Sequence, residues 1–213
     1  MNGATLQQKV YYGYAKSAQY IGTAYTQYRP SGPSNPLQIA LQTINASFNA
    51  EDMTYSKPRG YAKATWYALL DGTQAQVGDY LVGADGTFFI AAMQQIKPIL
   101  AVQCNATLNF TRAQEQTQFG QVSNYEGTTA ANETPLMTGF PASVLQGTKG
   151  EKGPVDLPGD ARLPWWLILA PYVAGVTLQS NDLIADATGR RFIISSAELS
   201  PLGWRITAMQ AKT

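Results

Sequence analysis

The chain has 213 residues, enough for one or two domains, and its apolar content of 45% is sufficient to build a hydrophobic core. Only 14% of the residues are charged and the net charge is +1, so the chain lacks the basic balance typical of nucleic-acid binding. It contains no histidine and one cysteine, which excludes catalysis by histidine, an internal disulfide and a cysteine-based zinc site.

The low charge also constrains the surface, which must be covered largely by uncharged polar residues and tyrosine. Such a surface is typical of a subunit that is covered by its neighbours, and it would equally suit an extracellular or virion surface. We predict no catalytic residue, no cofactor and no metal site. We also predict no sequence-specific contact with nucleic acid.

The N-terminal segment, residues 1–30, is predicted to contain an amphipathic α-helix over residues 4–25, because apolar residues recur there at three- and four-residue steps. The helix carries an unusual amount of aromatic surface. Its candidate interface residues are Tyr11, Tyr12, Tyr20 and Tyr25. The helix either packs on a sheet of its own chain or docks onto a neighbouring subunit, where tyrosine is enriched.

A hairpin module at residues 76–104 is predicted to recur near the C-terminus. The stretch VGDYLVGADGTFFIAAMQQIKPILAVQC aligns without a gap with SNDLIADATGRRFIISSAELSPLGWRITA. The alignment matches these pairs: Asp79 with Asp182, Leu81 with Ile184, Gly86 with Gly189, Phe89 with Phe192, Ile90 with Ile193, and Pro98 with Pro201. Gly86 and Gly189 are the predicted turn formers, since a tight hairpin turn requires a positive φ. Chance similarity between two unrelated hairpins is the alternative.

The repeat divides the chain into a first β-module over residues 31–112 and a second over residues 140–213. Residues 113–139 are polar, with few branched aliphatic side chains, and are predicted to be a linker. Trp66 and Trp166 precede the shared aspartate by comparable distances, which extends the repeat upstream.

The longest apolar run, Trp165–Val176, contains a proline and is about half of the roughly 20 residues that a membrane-spanning helix needs. We therefore interpret it as a core strand and predict no membrane insertion. Trp165 and Trp166 are also candidate interface residues, since an aromatic surface at this point could bind a partner or a receptor.

The residues offer little for catalysis. Two pairs of carboxylates could be imagined to act together, Asp79 with Asp182 and Asp85 with Asp186, but their positions at strand starts and turns favour local hydrogen bonding. Arg190 and Arg191 form a basic pair on the second hairpin, which indicates a solvated turn or an ion pair between subunits. Cys104 closes a strand-like run and is interpreted as a small buried residue rather than a reactive thiol.

Three phrases resemble a family of structural proteins encoded in the virion modules of tailed bacteriophages. They are LQQKVYYGYAKSAQYIGTAYTQYRP, WYALLDGTQAQVGDYLVGADGTFFIAAMQQIKPILAVQCNATLNFTR and LPGDARLPWWLILAPYVAGVTLQSNDLIADATGRRFIISSAELSPLGWRITAMQ. The resemblance covers most of the chain outside the linker. The shorter pattern GD-x-L-V-x-x-x-G-x-x-F-x-I is also similar to small β-barrel neck and tail-completion proteins, in which it marks a hairpin and carries no chemistry.

The resemblance implies a non-enzymatic structural subunit of a virion, assembled in the host cytoplasm, with tail-tube, baseplate or neck proteins as partners. A tail or baseplate ring made of several copies is the first expectation. A head-to-tail neck connector and a receptor-binding or fibre-attachment protein are the alternatives. The predicted fold is mainly β, with two small barrel- or sandwich-like β-domains that share the repeated hairpin module, plus an N-terminal α-helix.

Overall fold

The computed structural model describes residues 2–50, 64–113, 132–147 and 165–211. These ranges contain one helix, α1 (Gly3–Ile21), and twelve strands. The strands are β1 (Thr23–Tyr28), β2 (Ala40–Ala50), β3 (Thr65–Leu69), β4 (Tyr80–Gly83), β5 (Gly86–Ala92), β6 (Ile99–Cys104), β7 (Ala106–Ala113), β8 (Glu133–Gln146), β9 (Trp165–Ala170), β10 (Leu183–Asp186), β11 (Arg191–Ser200) and β12 (Gly203–Gln210).

The strands form two closed barrels with the same connectivity. The first barrel has the order β1-β2-β3-β6-β5-β4 and the second has the order β7-β8-β9-β12-β11-β10, with every pair of neighbours antiparallel. Counted from the first strand of each barrel, the two orders are identical. The predicted mainly β fold with two related β-domains and an N-terminal helix is therefore confirmed, and both domains are barrels rather than sandwiches.

The strand registers match as closely as the strand orders. Trp66 pairs with Ala101 in the first barrel, and Trp166 pairs with Ala208 in the second. The fifth strand of each barrel carries a β-bulge at the same point, between Ile90 and Ala92 in β5 and between Ile194 and Ser196 in β11. A bulge bends its strand and increases the twist, which helps a sheet to close on itself.

The ungapped alignment of the hairpins is wrong by one residue beyond the turn. Four residues, 83–86, separate the paired Val82 and Thr87, whereas five residues, 186–190, separate the paired Ala185 and Arg191. The structural equivalent of Phe192 is consequently Phe88 rather than Phe89. Burial enforces this shift, because Phe88 points into the first barrel as Phe192 points into the second.

The two prolines of the alignment are not equivalent either. Pro98 lies just before β6, whereas Pro201 lies in the tight turn between β11 and β12, where Ser200 pairs with Gly203. The second barrel has a longer hairpin at this point, which the gapless alignment could not represent.

Helix α1 begins and ends at identifiable caps. The side chain of Asn2 accepts a hydrogen bond of 2.9 Å from the Thr5 amide, and the Gly22 amide donates to the Ala18 carbonyl. Gly22 is extended and touches backbone atoms of Ala18, so the chain leaves the helix there and enters β1. The predicted helix over residues 4–25 therefore ends at Ile21.

Strand β8 occupies part of the predicted linker. Residues 133–139 belong to this strand, which pairs with both β7 and β9, while residues 114–131 of the linker lie outside the described residues. Strand β7, which the sequence assigned to the first module, is the first strand of the second barrel. The boundary between the barrels thus lies at Asn105, because strand pairing rather than local polarity decides which barrel a segment joins.

The two barrels share an apolar interface. One core cluster fills the first barrel, and a larger one fills the second barrel and continues onto the outer face of the first through Tyr80, Phe89 and Val102. Tyr80 is fully buried, and its hydroxyl donates a hydrogen bond of 2.8 Å to the Pro141 carbonyl. Within the described parts of the chain, no helix has the length and hydropathy to cross a bilayer.

Gly189→Ala tests the turn geometry. Gly189 has a φ of +86° and no atom within 4 Å of an added Cβ, so the substitution should lower the free energy of unfolding through backbone strain alone, by about 1 kcal/mol. Gly32→Ala is the matched control, since Gly32 also has open space but no positive φ. Equal midpoints for the two variants in urea denaturation would contradict the turn assignment.

Candidate functional site

An arginine forms a bidentate ion pair with a buried aspartate at the same place in each barrel. Arg29 donates to Asp79 from Nε at 2.8 Å and from Nη2 at 2.7 Å, and Arg112 donates to Asp182 from the same atoms at 2.7 and 2.9 Å. Arg29 directly follows β1 and Arg112 is the last residue but one of β7, while each aspartate directly precedes the fourth strand of its barrel. We refer to each pair as the Arg–Asp clamp.

Both clamp carboxylates accept further hydrogen bonds besides those from arginine. The Gln76 amide donates to Asp79 at 2.9 Å, and the Gln179 amide donates to Asp182 at 2.8 Å. The side chain of Gln27 adds a further bond of 2.7 Å to Asp79. Because both carboxylates are buried and held by several donors, they fix the loop before the fourth strand and are not arranged as an acid and base pair.

The clamps close the barrels. In the first barrel the closing seam between β1 and β4 has only three residue pairs, from Thr26 opposite Val82 to Tyr28 opposite Tyr80. Arg29 comes directly after Tyr28 and Asp79 directly before Tyr80, so the clamp lies next to the last residue pair of the seam. The sequence analysis missed both arginines, although extension of the repeat upstream places an arginine near the end of the first strand of each barrel.

A double-mutant cycle tests the clamp. We expect Arg29→Gln and Asp79→Asn each to lower the free energy of unfolding by about 2 kcal/mol, with a coupling energy of at least about 1 kcal/mol, because Asp79 is buried while the Arg29 side chain is 37% exposed. The control is the surface pair Arg205 and Glu198, whose side chains are both more than half exposed. A coupling in the clamp no larger than that of the surface pair would contradict its structural role.

The second hairpin holds its own arginine over two aromatic rings. Arg190 lies 5.5 Å from the Trp166 ring centroid and 5.6 Å from that of Phe192, and the two rings meet edge to face at 5.7 Å. Asp186 accepts from Arg190 Nε at 2.7 Å and from its amide at 2.8 Å. The aromatic pair of this barrel is thus covered by a guanidinium from its own chain, an arrangement stabilised by cation–π attraction.

Hydrogen bonds favour the ionised form of the Asp186 carboxyl beneath this arginine. Burial alone would raise its pKa, but hydrogen bonds from the side chain of Thr188 and from Arg190 outweigh the burial and lower the pKa below its ordinary value. The predicted basic pair on the hairpin is therefore engaged within the chain, since Arg191 also forms an ion pair, with Glu133.

The lowered pKa of Asp186 predicts an acid-dependent loss of stability. The unfolded chain binds the proton more readily, near the ordinary aspartate pKa of about 3.9, so the stability that Asp186 contributes is present above that pH and is lost as pH falls through its lowered folded pKa. We expect Asp186→Asn to flatten the stability profile below about pH 4. Thermal melts across this range would measure it, and an unchanged acid slope would contradict the assignment.

The equivalent place in the first barrel is an open cavity. Trp66 and Phe88 meet edge to face at 6.4 Å, as their second-barrel equivalents do, and Phe48 stacks on Phe88 at 3.7 Å. Together with Tyr25 these three side chains form what we call the aromatic recess. Asp85 also lines its cavity, which has a volume of about 270 Å³.

A hydrogen bond joins Tyr25, in the wall of the recess, to the exposed Asp85 at its opening. The Tyr25 hydroxyl donates to Asp85 Oδ2 at 3.0 Å, and the Thr23 hydroxyl donates to the same oxygen at 3.2 Å. Burial raises the pKa of the Tyr25 phenol, and its hydrogen bond to Asp85 adds to the rise. Tyr25 is 1% exposed, so its predicted place on an intersubunit surface is wrong: it lies on an inward position of β1 and not on a helix.

The other predicted interface residues differ in exposure. Tyr12 and Tyr20 are 68% and 80% exposed, whereas Tyr11 is half-buried against Gly72. Only Ala18 of α1 is buried among the residues whose burial is described. Trp165 is half-buried against Gly147, and Trp166 is half-buried beneath Arg190. We call Leu6, Tyr12, Tyr20 and Ile21, the large exposed residues of the helix, the exposed α1 surface.

A second apolar surface lies where the two barrels meet. It is a groove of about 240 Å³ whose floor includes Phe89 and Ile90. Four large apolar side chains border it and are 40–54% exposed. We call these residues the junction groove: Val77, Tyr172, Leu199 and Leu202.

Nothing among the described residues assembles a metal site, since no three His, Cys, Asp or Glu side chains cluster there. Burial raises the pKa of the Cys104 thiol, so little thiolate exists at neutral pH. Three buried indole N–H groups, those of Trp66, Trp166 and Trp204, have no hydrogen-bond partner among the described residues.

No protein-family model matches the chain, and neither the curated proteins nor the solved structures yielded a match.

Proposed function

We propose that this chain is a non-enzymatic structural subunit of a tailed-phage virion, a tail or baseplate ring component that joins neighbouring copies. The observation that carries the proposal is a pair of exposed apolar surfaces on different sides of the first barrel, the exposed α1 surface and the junction groove. The assignment to a phage particle rests on the resemblance of the three sequence phrases.

The two surfaces lie across the first barrel from each other. Helix α1 packs on β2 and β3, while the groove is bordered by residues at the β4 and β5 side of the barrel. In the closed order β1-β2-β3-β6-β5-β4, the pair β2 and β3 is opposite the pair β5 and β4. Contact between two different surfaces of identical chains is heterologous, and such contacts generate rings when the rotation closes.

The chemistry of the two surfaces favours association with each other. Both are apolar with aromatic side chains, the composition that interface cores favour. The charged residues of α1 are two lysines, Lys9 and Lys16, and the described residues that line the groove are uncharged. The Lys16 ammonium lies 5.7 Å from the Tyr12 ring centroid, so burial of the exposed α1 surface partly desolvates one lysine, whereas burial of the groove desolvates uncharged side chains.

The absence of an activity is also part of the proposal. Asp79, Asp182 and Asp186, three of the four carboxylates that could have acted in pairs, are buried and held by arginine. A turbidity assay on peptidoglycan tests this directly: clearing that is lost in Asp85→Asn would replace the structural proposal with hydrolysis of cell-wall glycan.

Complementation between variants tests the ring contact. We expect Tyr12→Ser with Tyr20→Ser to abolish self-association, and Leu199→Ser with Leu202→Ser to do the same, since each exposed side chain contributes roughly 1–2 kcal/mol of apolar burial. An equimolar mixture of the two variants retains one intact contact and should form a heterodimer, measured by light scattering after size-exclusion chromatography. Ile39→Ser, at another exposed apolar residue, is the control that should assemble normally.

Two outcomes would overturn this contact. A wild-type chain that stays monomeric at high micromolar concentration has no such association, and an α1 variant that still assembles has a different one. The place in the particle requires a separate measurement, cryo-electron microscopy of purified virions. Density for both barrels in a tail or baseplate ring supports the proposal, whereas density in the neck or at a fibre tip replaces it with one of the alternatives.

A further inference from the structure

The geometry points to the aromatic recess of the first barrel as a binding site for a guanidinium group, the head of an arginine side chain or a small guanidino compound. This inference does not depend on the proposed role in a virion. It rests on a comparison between two equivalent sites of the same chain, one of which already holds a guanidinium.

The equivalence of the two sites is set by strand register. Trp66 and Trp166 each pair with an alanine of the last strand of their barrel, Ala101 and Ala208. In each barrel an aromatic residue of the fifth strand packs against the tryptophan edge to face, with interplanar angles of 88° for Phe88 and 71° for Phe192. The two aromatic pairs are therefore the same structural feature, repeated.

The hairpin turn decides whether the aromatic pair is covered by an arginine of the same turn. In the second barrel the five-residue turn supplies Arg190, which covers both rings and is held by Asp186. The turn of the first barrel is one residue shorter and contains Asp85 but no arginine. Among the described residues no lysine or arginine lies over the Trp66 or Phe88 ring. Phe48 is stacked on the Phe88 ring, so the half-buried Trp66 and Phe48 supply the aromatic surface of the cavity, with Asp85 beside them.

The first barrel has also gained aromatic surface at this place. By register, Tyr25 and Phe48 stand where the second barrel has Leu108 and Val144. Tyr25 lies edge to face with Phe48 at 5.1 Å and with Phe88 at 6.2 Å. Aromatic rings that surround a cavity attract cations through their quadrupoles, most strongly where water is partly excluded.

Size and charge restrict what could enter. A water molecule occupies about 30 Å³ of liquid, so a cavity of about 270 Å³ admits a planar head group with part of its alkyl chain. Of the described residues that line it, Asp85 alone is charged. Its Oδ2 accepts from Tyr25 and Thr23, which leaves Oδ1 facing no donor of the described residues and free to accept from a cation.

The guanidinium group fits better than a compact ammonium. It is planar and weakly hydrated, stacks on aromatic faces, and offers several N–H donors to a carboxylate at the edge of its plane. This is the arrangement that Arg190 adopts on Trp166, Phe192 and Asp186.

Binding can be measured on the full chain by the indole N–H resonances of its four tryptophans, assigned with Trp66→Phe and Trp166→Phe. N-acetyl-arginine methylamide should shift the Trp66 resonance with a Kd of about a millimolar. The uncharged isostere N-acetyl-citrulline methylamide should not shift it. Asp85→Asn should weaken binding about threefold, since this carboxylate is exposed.

A second variant keeps the test independent of any damage to the first barrel. Arg190→Ala removes the internal guanidinium, so it should open the second site and make the Trp166 resonance respond to the same probe, while Trp66 responds as before. Wild-type protein should show no response at Trp166.

The two sources of the guanidinium are distinguished by the probe. Tighter binding of an arginine-containing tripeptide than of ethylguanidinium indicates a side chain of a partner polypeptide, whereas tighter binding of ethylguanidinium indicates a small molecule. No shift of Trp66 with either probe would overturn the inference. An equal shift with the citrulline isostere, or a Trp166 that stays silent in Arg190→Ala, would overturn it as well.

Discussion

The bidentate Arg–Asp clamp is the interaction on which both barrels depend. A closed barrel has no free edge, but it needs one pair of strands that closes it, and here that pair is formed by the first and fourth strands. The fourth strand has only four residues in each barrel, so few backbone hydrogen bonds hold the seam. Two parallel charge-assisted bonds at its end fix the loop from which the fourth strand starts.

The clamp also explains why the repeat is most evident around its aspartate. In both barrels the residue before the aspartate has a positive φ, glycine at position 78 and asparagine at position 181. Its amide donates to a carbonyl of the fifth strand, that of Ile90 or Ile194, and the aspartate carbonyl accepts from the same residue. This network ties the loop to the following hairpin, and the local geometry requires similar residues in both copies.

The two barrels share this frame but differ in what it presents. The second barrel is filled more completely: its core cluster extends to the outer face of the first, and its aromatic pair is covered by its own arginine. The first barrel leaves its aromatic recess open beside α1. The exposed α1 surface and the aromatic recess thus belong to the first barrel, while the junction groove is built from residues of both barrels. With only 14% charged residues, much of the remaining surface can be covered by a neighbour at little cost in desolvation.

The sequence by itself determined the fold class, the repeat and the hairpin turns, because these depend on local signals. Glycines 86 and 189 have positive φ at the turns as their neighbours predict, and the matched tryptophans 66 and 166 occupy equivalent registers. Alternation of apolar residues then fixes which face of each strand is buried.

Only the tertiary structure decided the features that depend on distant segments. The clamps join residues 50 and 70 positions apart, and no local pattern announces which charged residues will meet. The polar residues 133–139 became part of β8 because two neighbouring strands supply the hydrogen bonds and the apolar cover that local composition lacks. Tyr25, predicted on a surface, is buried in the core of the first barrel. A single extra residue in the turn of the second hairpin changes which residues of the following strand are equivalent in the two barrels. Burial in a closed barrel, and not the propensity of any one segment, selected these outcomes.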